Sequence, residues 1–215
     1  MKTGGRLDRA FFARPCLEVA RDLPGKLLLH RLPDGTVVGG RLVEVEAYLG
    51  DGSDPAAHSH PGPTARNRTM FGPPGRLYAY RSYGIHVCVN VVCEPAGRGA
   101  AVLLRALEPL AGLDAMRALR GLPRDAGARA LARGPGRLAQ ALGLELAHDG
   151  ASLLRGALGL YRDAREASGA TVRVAAGPRV GITKAAALPY RFWDDGSPWV
   201  SAFRPGRSRR RGEAR

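Results

Sequence analysis

The chain has 215 residues, 45% of them hydrophobic, enough to bury a substantial core as one domain. Its formal charge of +14 and its excess of Arg over Lys, 30 to 3, point to a polyanionic partner, nucleic acid or an anionic surface. No apolar run approaches the roughly 20 residues that cross a bilayer, "MKTGGRLDRAFFARP" lacks a signal-peptide core, and neither the five scattered His nor the spacing of Cys16, Cys88 and Cys93 suggests a metal site.

In chain order, "LDRAFFARPCLEVARDL" reads as one or two short helices, the second started by Pro15. "KLLLHRL" and "TVVGGRLVEVEAYL" flank "PDG", a hairpin signal. Residues 50–75 are rich in Gly, Pro, Ser, Asn and His and lack periodicity, and loops of that length in compact domains tend to be functional. "RLYAY", "IHVCVNVVC" and "AAVLLRALEPL" are strand-like. "AGLDAMRALRGL" and "GRLAQALGL" read as helices, and "SLLRGALGLYR" and "TVRVAAGPRVGI" as strands. The pattern predicts one mixed α/β (α+β) domain over residues 1–203 with a largely antiparallel sheet. Residues 204–215, "RPGRSRRRGEAR", hold six Arg and one Glu and read as a disordered basic tail. Cys88 and Cys93, five apart on one strand-like run, fall on opposite faces; buried thiols in a reducing cytoplasm are the expectation.

One strand carries more than a core face. Alternation puts Val43, Val45 and Ala47 on one side, and Glu44, Glu46 and Tyr48 on the other. Glu44 reads as solvent-facing or structural. Glu46, Asn90 and Arg105 each interrupt an apolar run, and each reads equally well as a solvent-facing residue on a half-exposed strand or as part of a buried polar site, where Arg105 would need a carboxylate. Tyr78 and Tyr80 share a strand face, with Tyr78 explicable as a core tyrosine. Tyr83 precedes Gly84, so it falls on a turn, where it could stack on a base or wedge into a duplex. Tyr48 and His58 offer flat surfaces near Glu46. His30, His60, His86 and His148 have no assignable partner.

Taken in order, "VEVEAYLG", "DPAAHS", "RNRTMFGPPGRLYAYRSYGIHVCVNVV", "AVLLRALEPL", "GPGRLAQALG", "GPRVGI" and "PYRFWDDGSPWVS" closely resemble the alkyladenine (3-methyladenine) DNA glycosylase family, over roughly residues 8–203. The resemblance implies a single-domain curved antiparallel sheet with surrounding helices. It implies removal of alkylated or deaminated purines from double-stranded DNA, the class of 3-methyladenine, 7-methylguanine, hypoxanthine and ethenoadenine, with no required cofactor. By motif, it assigns the general base to Glu46 and the base-stacking residues to Tyr48, His58 and Tyr80. It assigns the intercalating tyrosine to Tyr83 and the pocket amide to Asn90. It also implies that the nucleophilic water is held by Arg105 and by the main-chain carbonyl of Val180. The loop "PTARNR" departs from the family's Arg-Thr-Pro-Arg-Asn at Pro63 and Ala65, which touches a loop contact or its rigidity rather than the chemistry.

These assignments make chemical sense together. An N-glycosidic bond breaks through an oxocarbenium-like state, which a carboxylate can stabilise while it activates the attacking water. The target base must leave the stack, and an aromatic slot favours an electron-poor alkylated purine. Lys2, Lys26 and Lys184 are the only lysines, and none lies in the constellation, so a monofunctional, water-using enzyme is expected rather than a Schiff-base lyase. The competing class is a non-catalytic lesion- or structure-binding DNA protein, which needs no acid in its pocket; an RNA-binding protein is a weaker competitor. The remaining expectations are a monomer without a membrane partner, working in a bacterial cytoplasm on nucleoid DNA.

Overall fold

The computed structural model describes residues 2–82, 84–203 and 205–206. Tyr83 and nearly all of the Arg-rich C-terminal segment therefore lie outside the described residues. Among the described residues nine strands form one sheet whose pairings are all antiparallel. They are β1 (Thr3–Arg6), β2 (Leu27–Arg31), β3 (Val37–Tyr48), β4 (Leu77–Ser82), β5 (His86–Cys93), β6 (Ala100–Ala111), β7 (Leu158–Asp163), β8 (Val174–Gly177) and β9 (Arg191–Asp194). The main path runs β1-β7-β2-β3-β6-β5-β4. The α-helices of the described residues are α1 (Arg9–Phe12), α2 (Cys16–Asp22), α3 (Leu113–Leu119) and α4 (Pro135–Ala141). The predicted mixed domain with an antiparallel sheet is thus observed.

The twelve-residue strand β3 is the axis of the site. One edge pairs with β6 along nearly its whole length. The other edge pairs first with β2, from Val37 to Arg41, and then with β9, from Glu44 to Glu46. The register shifts at Gly39/Gly40 and again around Glu44, irregularities that bend a strand. Gly40 is obligatory at the first shift, because a Cβ there would lie 1.8 Å from the Glu108 carbonyl oxygen.

The sheet has two unlike faces. Val45, Ala47, Leu77, Ala79, Val89, Val91, Val102 and Leu104 join the main core, which α2 and α4 help to cover. The alternate residues Tyr78, Val92 and Ala101 join a smaller cluster with Met70, Phe71 and Tyr80. Period-2 patterning therefore holds in β3, β4 and β5. Its corollary of a solvated second face does not. Glu44 and Glu46 have no exposure, and Asn90 and Arg105 have 5% each, because residues 49–75 and the segment from Gly177 to Ser201 pack over that face. The solvent-facing reading of these four residues is overturned.

Other differences are local. β1 and β9 are too short and too polar for local patterning to mark them as strands. Only Leu158–Asp163 of the run from Ser152, and only Val174–Gly177 of the run from Thr171, are strand. The long loop is ordered by its own polar side chains. Asn67 donates from Nδ2 to the His58 and Gly62 carbonyls and accepts the Thr64 N–H, ahead of a short 3-10 turn at Arg68–Phe71. Cys16, Cys88 and Cys93 are buried and free, with Cys93 in the main core and Cys88 on the other face. No helix of the described chain is long and apolar enough to cross a membrane.

Candidate active site

A cleft of about 430 Å³ opens on the second face, a volume within the range of small-molecule sites, about 300–1,000 Å³. Seven residues picked out in the sequence line it: Glu46, Tyr48, His58, Tyr80, Asn90, Arg105 and Val180. They come from β3, the long loop, β4, β5, β6 and the segment after β8, up to 134 residues apart in sequence for Glu46 and Val180. A larger, open groove of about 1160 Å³ runs past α1, α2 and β7; it is lined by Arg14, Lys26, Arg41, Glu108, Asp163 and Glu166 among others, and by none of the seven.

Glu46 forms the floor. Its Oε1 accepts the Val180 N–H at 2.7 Å and lies 3.2 Å from Arg105 Nη1; its Oε2 accepts the Tyr48 hydroxyl at 3.0 Å. Arg105 also donates from Nε to Glu44 at 2.8 Å and so joins the two carboxylates. Burial disfavours the Arg105 charge, but Glu46 and then Glu44 outweigh it and raise its pKa. Behind this pair Glu44 accepts from Arg191 Nε, the Ser201 hydroxyl and the Ser201 N–H, at 2.8, 2.9 and 2.7 Å. Burial works against the Glu44 carboxylate, yet Arg105 and Arg191 together hold it below the usual carboxylate range.

The walls are aromatic. His58 and Tyr80 meet edge to face with ring centroids 4.5 Å apart, forming a corner. Tyr78 stacks on Tyr80 at 5.5 Å and 21°, and its hydroxyl shares a 3.1 Å hydrogen bond with His58 Nδ1. Tyr78 is therefore part of the wall and not only a core residue, which is all its sequence position suggests. Burial, with Glu46 next, pushes the Tyr48 hydroxyl well above its ordinary range, and burial does the same for Tyr80. Both rings stay neutral, and Tyr48 stays a donor. Burial, then Arg66, lowers the His58 pKa, so its ring is neutral near pH 7. Asn90 donates from Nδ2 to the Tyr78 carbonyl at 3.2 Å, which fixes the amide plane at the cleft.

Sequence reasoning misses Asp54 and Arg179, a fully buried ion pair behind Tyr48. Arg179 sits within the quoted "GPRVGI" and Asp54 within "DPAAHS", but nothing in either stretch says that they meet. It also misses Arg66, Met70, Cys88 and Ile182, which line the cleft. Among the described residues no group of three or more His, Cys, Asp or Glu side chains could hold a metal ion. Tyr83, the predicted wedge, lies outside the described residues.

A buried, multiply held carboxylate below a neutral aromatic cleft has the chemistry to activate water beside a flat, base-like group. Comparison with known proteins narrows that class. The methylpurine-DNA glycosylase profile matches residues 10–198. A candidate 3-methyladenine DNA glycosylase of Rhodopseudomonas palustris (strain HaA2) is 54% identical over 198 residues, covering 92% of this chain and 91% of the relative. Relatives bearing the same name from Nitrobacter winogradskyi and Methanoculleus marisnigri are 52% and 50% identical, over 92% and 91% of this chain and 88% and 98% of their own lengths. The chain belongs to the methylpurine-DNA glycosylase family.

Proposed function

We propose that the chain is a monofunctional base-excision repair glycosylase that extrudes a damaged purine from duplex DNA and hydrolyses its N-glycosidic bond with water. The observation that carries this reading is the setting of Glu46. A carboxylate buried without solvent exposure is costly unless its charge has a use or full compensation. Glu46 Oε1 is held by Val180 and Arg105, while Oε2 engages Tyr48 and retains acceptor capacity on the side of the cleft. Such a group can take a proton from water and stabilise positive charge on the sugar. A purine in the cleft would lie against Tyr48 and the His58–Tyr80 corner, with Asn90 beside it as a steric and hydrogen-bonding filter. Arg105 and the main-chain carbonyl of Val180 would orient the water, and Tyr83 would fill the gap left in the duplex.

A non-catalytic lesion binder has no need of the Glu46 arrangement. The deciding experiment is an excision assay on duplexes carrying 3-methyladenine, 7-methylguanine, hypoxanthine or ethenoadenine, with the released base identified. Release of a free base with an intact abasic strand is expected. Tight lesion binding without any base release would favour the binder.

The chain would act as a monomer, in the cytoplasm; three buried free thiols fit a reducing compartment. The Arg-rich segment 204–215 would add sequence-independent phosphate contacts. Deleting it should weaken binding to damaged and undamaged DNA alike and flatten the salt dependence, by a slope of about 0.9 in log K against log salt for each phosphate that the segment neutralises. Single-turnover excision at saturating enzyme should stay the same. A salt titration of both forms checks this, and an unchanged slope rules the segment out of DNA binding.

A further inference from the structure

The ion pair behind Tyr48 takes no part in the chemistry just described, yet it touches β3, the His58 loop and the Tyr48 ring, three of the elements that shape the cleft. Asp54 is entirely buried and Arg179 is 1% exposed. Arg179 donates from Nη1 and Nη2 to the two Asp54 oxygens at 2.6 and 2.8 Å, and from Nη1 to the Ala47 carbonyl at 2.9 Å. Its guanidinium lies against the Tyr48 ring at 4.6 Å and the Tyr190 ring at 5.3 Å. Asp54 in turn accepts the Leu49 and Ala56 N–H groups at 3.2 and 3.1 Å, shaping the loop that delivers His58. The residue after Arg179 is Val180, whose N–H binds Glu46 Oε1.

Stability alone is a poor reason for this pair. Replacing a buried ion pair by apolar residues is often neutral or stabilising, and Arg179 Nε is buried without a hydrogen-bond partner among the described residues. Position is a better reason. One planar cation sets the rear of the Tyr48 ring, the end of β3, the start of the His58 loop and the peptide that carries the Val180 N–H. We infer that the Asp54–Arg179 pair is a positioning element that locks the aromatic wall of the cleft to the Glu46 carboxylate, acting through Tyr48 and Val180. This rests on the reading of the cleft as the excision site.

The test compares wild type with Asp54→Asn/Arg179→Met, which removes the charges together, keeps an acceptor for one of the two loop N–H groups and leaves a long apolar side chain between the two rings. Its melting temperature should stay near that of wild type and its affinity for undamaged duplex should not change. Single-turnover excision at saturating enzyme should fall about ten- to a hundred-fold, as expected for small misplacement of a reactive constellation. Should the double variant give no cooperative melting transition, Arg179→Lys is read in the same assays. It keeps a cation beside Asp54, cannot lie flat on both rings, and should lose about tenfold in rate.

A second readout separates positioning from mere support. The Arg179 substitution and Tyr48→Leu should combine to less than the product of their separate fold losses, because both act on one wall. Strict multiplication, or a folded double variant within about twofold of the wild-type rate, overturns the inference. Glu46→Gln is run alongside. If it is inactive while Asp54→Asn/Arg179→Met is unimpaired, only the positioning role falls; if it cleaves at the wild-type rate, the reading of the cleft fails and the positioning role falls with it.

Discussion

Glu44 and Glu46 are the same residue type, two positions apart on one face of β3, and both are fully buried. Around Glu44 four donors close in: Arg105, Arg191 and both the hydroxyl and the N–H of Ser201. Every direction of approach is occupied by protein, and Glu44 does not line the cleft. Around Glu46 there are three donors, from Val180, Arg105 and Tyr48, and the remaining side faces the cleft. Burial therefore does not set the two carboxylates apart. What divides them is whether the protein alone fills the acceptor positions. Arg105 links the two, so the closed site holds a side chain that the open site shares.

That contrast makes opposite demands on two substitutions. Glu46→Gln should leave lesion binding and the melting temperature close to wild type and reduce single-turnover excision by about a hundred- to ten-thousand-fold, the usual worth of a general base. A Gln variant that still cleaves at a near wild-type rate would erase the distinction. Glu44→Gln should do the reverse. It leaves Arg105 and Arg191 short of a counter-charge in a buried network, a loss of about 3–5 kcal/mol, or roughly 6–20 °C in melting temperature for a domain of this size. Excision per folded molecule should fall less than tenfold. Thermal denaturation and active-site titration of one preparation give both numbers.

Tyr83→Ala sharpens the comparison by testing a residue that belongs to neither carboxylate. Base–aromatic stacking is worth roughly 1–3 kcal/mol, so the flipping equilibrium on paired duplex should suffer about ten- to a hundred-fold. The same lesion in single-stranded DNA should show a smaller defect, since no gap needs filling there. Excision in both contexts, with 2-aminopurine fluorescence beside the lesion, reads the two steps apart. Equal losses with unchanged fluorescence would make Tyr83 a cleft residue.

The smallest effect concerns the wall opposite Glu46. Burial, then Arg66, depresses the folded-state pKa of His58. The unfolded chain takes up its proton near the ordinary value of about 6.5. Between that value and the lower folded one the unfolded state binds more protons, so stability rises with pH there. The His58 contribution is complete above about pH 6.5 and fades as the pH falls through the window below it. Melting temperatures at about pH 7.5 and about pH 5.5 should differ less in His58→Gln than in wild type. An identical difference would assign the acid sensitivity to other groups.

Much of this is legible in the chain itself. Period-2 alternation puts Val45 and Ala47 in the core and Glu46 and Tyr48 together on the other face, because successive strand side chains must point to opposite sides. The "PDG" hairpin between β2 and β3, the strand nature of β4, β5 and β6, and the separation of Cys88 from Cys93 follow from equally local rules. The motif resemblance names seven residues that the fold brings to one cleft. What local rules do not contain is the cover on the second face. β9 is four residues long, and it forms only by pairing, in part with Glu44 to Glu46 of β3. Glu44 is a plausible solvent-facing residue until Arg191 and Ser201, 147 and 157 residues away, close over it. Asp54 and Arg179 do not stand out in their own stretches of sequence and meet across 125 residues. A strand's own side chains determine which face each residue takes. Whether that face meets water, a carboxylate or a guanidinium is decided by segments far along the chain, and only the tertiary structure brings those together.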